Sequence, residues 1–102
     1  MAIAYSSAGT GVATEASSGN LNPTCPATVA ANDILIAHTA YEGTTETPST
    51  PSGWALLGGP YTIESAHRHW VFGKLADWTE DGAAISFGTP AVTTVRWGRI
   101  YS

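Results

Sequence analysis

Apolar residues in this chain recur at alternate positions, not at the three-and-four spacing of a helix. No window keeps them at i, i+3, i+4 and i+7 over three turns, so the pattern predicts strands. In DILIAHTAY (33–41), Ile34, Ile36, His38 and Ala40 point one way and Leu35, Ala37, Thr39 and Tyr41 the other. Apolar residues on both faces predict a central strand covered on both sides. In RHWVFGKLA (68–76), Trp70, Phe72 and Ala76 share a face with Arg68 and Lys74 near its ends, and Val71 and Leu75 oppose them. AAISFG (83–88) and VTTVRWGRIY (92–101) continue the alternation, the second setting Val95, Trp97 and Tyr101 against Thr94, Arg96 and Ile100. Trp70 and Trp97 are expected in the core, and the β-branched and aromatic content of these runs suits a pleated surface.

Turn chemistry separates the runs: SSGNLNP (17–23), EGTTETPSTPSG (42–53), LGGP (57–60), DWTEDG (77–82) and GTP (88–90). Short strands with such punctuation predict an all-β, antiparallel β-sandwich or barrel. At 102 residues the chain is one domain. Residues 1–20 read as a flexible N-terminal arm or first strand, and 21–102 as the β-sandwich. The closing RWGRIYS (96–102) reads as a strand without a closing turn, which leads us to expect the front part of a longer chain.

Composition narrows the function. Charged residues are only 12% of the chain, about half the usual ~25%, which favours a surface that meets neighbouring proteins. The net charge is −4 with four fixed cations, which argues against nucleic acid as a partner. No apolar run approaches the ~20 residues of a membrane span, so no membrane partner is expected. The start, MAIAYSSAGTG, has neither a basic n-region nor an apolar h-region, so synthesis in a cytoplasm without a signal peptide is expected. Cys25 has no second cysteine to pair with and reads as a small buried filler.

Candidate chemistry is sparse. His67 and His69 would project from one strand face at a spacing able to chelate a metal, but His38 lies on another strand and ordinary surface histidines are the preferred reading. Asp77, Glu80 and Asp81 cluster without matching a calcium loop, so a solvated turn is expected. A triad from His38, Asp33 and a serine has no local signature behind it. There is no phosphate loop, dinucleotide fingerprint or zinc cysteine pair, and neither catalysis nor a cofactor is expected. Trp78, Tyr41 and Tyr61 are the candidate exposed aromatics, for a protein interface or for stacking on a glycan. Trp54 follows the loop residues Pro51-Ser52-Gly53 and is expected to staple the incoming strand to the core.

The order of motifs resembles a recurrent domain of tailed-bacteriophage structural proteins. PATVAANDILIAHTA, TPSGWALLG, HWVFGKLAD and AAISFGTPAVTTVRWGRIYS follow one another as that family's elements do, over residues 23–102. Pro51-Ser52-Gly53-Trp54 matches its Pro-x-Gly-Trp element in full, whereas Asn32-Asp33 replaces Gly-Asp; Asn also tolerates a left-handed turn. The resemblance implies a jelly-roll-like sandwich on the virion surface, in a head decoration, spike or tail fibre. It implies other capsid or tail proteins as partners and a homo-oligomer, with a trimer favoured by symmetric mounts. The small, polar N-terminal arm is the expected attachment segment. A module recognising host-surface glycans is the alternative.

Overall fold

The computed structural model describes residues 5–15, 21–42, 47–63, 67–77, 79–88 and 95–102. Five strands form one antiparallel sheet: β1 (Val12–Glu15), β2 (Ile34–Glu42), β3 (Ala55–Ile63), β4 (His67–Leu75) and β5 (Val95–Tyr101). Their order across the sheet is β1-β5-β2-β4-β3, so β2 is central, as its apolar content predicts. No helix occurs among the described residues. The all-β, antiparallel expectation therefore holds.

One face of the sheet carries the core. Leu35, Ala37, Thr39 and Tyr41 of β2 are buried, level with Trp70 and Phe72 of β4 and with Ile100 of β5. Here β5 departs from expectation. Its core-side residues are Gly98 and Ile100, and Trp97 lies on the opposite face, half-buried. Register decides this, because Trp97 pairs with Ala40 and must share its face. A side chain at Gly98 would press on Pro23 and Leu21, so glycine lets the covering layer approach.

That layer is an antiparallel ribbon made from residues 21–26 and 82–88. The N–H groups of Leu21, Cys25, Gly82, Ile85 and Phe87 bond across it to carbonyls of Gly88, Ala83, Pro26, Pro23 and Leu21. Pro23 and Pro26 cannot donate, and their carbonyls serve the ribbon instead. AAISFG is thus extended but forms only an isolated bridge, Thr24 to Ala84, and not a regular strand. Its Phe87 is fully buried, with ring centres 5.0 Å from Phe72 and 6.1 Å from Trp54. Two layers enclose the core, only one of them a regular sheet among the described residues; a two-sheet sandwich or jelly roll is not confirmed.

Local turns follow the sequence closely. Trp54 N–H bonds to Pro51 O at 3.1 Å, and Gly53 sits at φ 83°, the left-handed position that a type II turn gives to glycine. Trp54 is 8% exposed, so it does staple β3 to the core. Asn32 adopts φ 72° in the turn that leads into β2. LGGP, in contrast, is no turn: it lies inside β3, where two register shifts against β4 absorb extra residues. An edge strand tolerates proline and bulges, and both discourage pairing with another chain.

The N-terminal segment is engaged by its own sheet. Val12–Glu15 pair with β5, Ala8 bridges Tyr101, and Gly9 N–H bonds to Ile100 O. Residues 5–15 are therefore not a free attachment arm; residues 12–15 are the first strand.

Candidate functional site

The second face of the sheet is open among the described residues, contrary to the expectation that β2 is covered on both sides. It presents Ile36, His38 and Ala40 of β2, half-buried, beside His69 and Val71 of β4 and Trp97 and Tyr101 of β5. Exposed apolar residues ring these: Ile34, Leu57, Ile63 and Leu75, the last 62% exposed.

Alternation and register bring together three side chains that the chain order keeps apart. His38 Nε2 and His69 Nδ1 lie 2.8 Å apart, one donating and the other accepting according to tautomer. Their rings stack at 5.1 Å between centres, and Trp97 meets His38 edge-on at 5.1 Å. Burial holds the His38 pKa below its ordinary 6.5, and the neighbouring His69 adds to the lowering. Protonation of His38 is thus resisted in the folded protein, and its contribution to stability falls as pH drops below 6.5.

Beside this trio Ala40 leaves a gap. Trp97 and His69 pair with it from either side, and the small side chain forms the floor of a depression of about 330 Å³. Tyr41, Glu42, His67 and Ile63 complete its lining. Trp97 also borders a larger groove of about 700 Å³, shared with Gly9, Thr10, Thr24 and Arg99. Arg99 Nε donates to Gly9 O at 3.0 Å there.

The sequence candidates fall in different places. Tyr41 is corrected: it is 2% exposed and packs edge-on against Trp70 on the core face, so it is no exposed platform. The alternation that puts Leu35 and Ala37 inside puts Tyr41 inside too. Tyr61 is 58% exposed on the open face, opposite His69. Trp78 lies outside the described residues. His67 is exposed at the start of β4, level with Glu42. No group of three metal-ligating side chains forms among the described residues. Trp97 was missed as a site residue, although its period-two relation to Arg99 and Tyr101 carried the signal.

The acidic trio is not a solvated turn throughout. Glu80 is 2% exposed, pairs with Lys74 at 3.0 Å and accepts from Asp77 N–H at 3.0 Å. Asp81 accepts from Val29 N–H at 2.7 Å. Asp77 is exposed and bonds both the hydroxyl and the N–H of Thr79; these bonds, with the link to Glu80, hold its pKa at about 2. Asp33 closes its own turn by accepting from Ala30 N–H at 3.0 Å. Burial pushes the Cys25 thiol up to about 11, with Glu80 adding to the rise, so it is a packed filler and a poor nucleophile.

No family model, curated protein or solved structure matches this chain.

Proposed function

We propose that this chain is a non-enzymatic structural component of a tailed-bacteriophage virion, in a head decoration, spike or tail fibre, held by protein–protein contacts. The observation that carries the reading is the open sheet face, where Ile34, Leu57, Ile63 and Leu75 stand exposed in a chain with few charges. Apolar surface of this kind is costly in a free monomer and fits an assembled one. The motif order that resembles phage structural domains, with its Pro51–Trp54 staple, supports the same reading. On this reading the partners are capsid or tail proteins and further copies of the chain, the location is the virion surface, and a trimer suits a symmetric mount. Because residues 5–15 are held in their own sheet, the contact runs through the open face and not through a donated N-terminal strand.

Mass spectrometry of density-purified particles tests the proposal. The chain should remain with the particles at constant ratio to the capsid protein, and an antibody against it should decorate one structure in electron micrographs. Recovery solely in the soluble fraction of lysed host cells would overturn it.

A further inference from the structure

We infer that a second copy of this chain closes the open face, sheet against sheet, about a two-fold axis that crosses β2 at Ala37. The inference rests on the proposed function's reading of this face as a protein contact, and it names the partner that fits there.

The face is its own complement. Ile34 and Leu75, paired across β2 and β4, stand exposed at one end. The depression floored by Ala40, between His69 and Trp97, opens at the other end, and its lining is mostly apolar. Ile34 and Ala40 each lie three residues from Ala37. A two-fold at that level therefore sets Ile34 of each copy into the gap over the partner's Ala40, and Leu75 onto the partner's His69. It also brings Arg99, level with His38, over the partner's Tyr101, level with Ile36. A cation then meets an aromatic ring and not a second cation. An unrelated partner has no need of this symmetry between projection and gap; a second copy requires it.

The area is sufficient for a weak, specific pair. Antiparallel sheets pack face to face about 10 Å apart, which leaves room for the side chains of both. The overlap runs along β2 from Ile34 to Ala40 and across five strands about 4.8 Å apart. That is roughly 550 Å² per copy in plan, so the pair clears the total of about 1,000 Å² expected of a biological interface. Few charges have to be buried. Glu42 and His67 lie beyond the overlap and stay hydrated. His38 and His69 bond each other at 2.8 Å, which satisfies one nitrogen of each before the face closes. An interface of this size dissociates on dilution. Below about 1 μM the chain is a monomer, and its stability rests on the core side alone. A three-fold mount then holds pairs of chains.

Sedimentation equilibrium of the whole chain should give the mass of two copies, with a dissociation constant of about 10–100 μM. Ile34→Glu, on an exposed residue, sets a carboxylate against the partner's apolar gap and should weaken pairing at least about 100-fold. Register is read by cross-linking with a short bismaleimide. A mixture of the Ile34→Cys and Ala40→Cys chains should link, and neither chain should link alone, because like positions lie about 20 Å apart along the strands. Cys25 does not interfere, since it is buried with its thiol pushed up to about 11. Four results would overturn the inference: a monomer at about 1 mM, a trimer or an open-ended series, pairing of Ile34→Glu as tight as the parent's, or links within either cysteine chain alone. A chain that fails here yet stays with purified particles leaves the virion reading standing. A chain that pairs as expected but never accompanies particles overturns that reading alone.

Discussion

The two faces of β2 have the same backbone and the same strand neighbours, yet opposite fates. Leu35, Ala37, Thr39 and Tyr41 are sealed beneath the 21–26 and 82–88 ribbon, whereas Ile34 is exposed and Ile36, His38 and Ala40 are half-covered. The first face joins aromatic rings in a continuous cluster, with Tyr41 on Trp70 and Phe72 on Phe87. The second gathers polarisable groups, the bonded histidines and Trp97, around a gap. Buried packing is concentrated on one side, and exposed apolar surface is left on the other.

Substitutions on the closed side should have the largest effects. Phe87→Ala removes the ring that ties the ribbon to the sheet and should cost about 3–5 kcal/mol in denaturant unfolding. Glu80→Ala strands Lys74 and the N–H of Asp77. Because Lys74 keeps some access to water, a loss of about 2–3 kcal/mol is expected, read by the same method. Thr39→Val goes the other way. Among the described residues the buried Thr39 hydroxyl has no hydrogen-bond partner, so its removal should raise stability by about 1 kcal/mol. Leu75→Ser, on the open side, should change stability by no more than about 0.5 kcal/mol while improving solubility, measured as the concentration at which the protein begins to aggregate.

Much of the closed side was legible in the sequence. Alternation grouped the residues that share each face of β2 and β4, without telling which face of β2 is covered, and Pro51-Ser52-Gly53-Trp54 declared both its turn and its anchor, because each depends on local backbone rules. Misreadings arose where tertiary placement decides. Alternation within its strand places Trp97 in the core, but pairing with Ala40 puts it on the open face. Tyr41 is a candidate surface ring in the sequence, but its register with Arg68 places it inside. LGGP carries the residues of a turn, and only its position on an edge strand lets it run through as bulges. The meeting of His38 with His69 depends on the β2–β4 register, which no single strand encodes.

The central claim is that one side of the sheet supplies the stability and the other does not, and neighbouring residues of β4 put it to the most direct test. Phe72 points to the ribbon and Val71 to the open face. Equilibrium urea unfolding of Phe72→Ala should show a loss of about 3–5 kcal/mol, and of Val71→Ala about 1 kcal/mol or less. Equal losses from the two would contradict the account, because the open face would then have to be closed by packing as tight as that of the core.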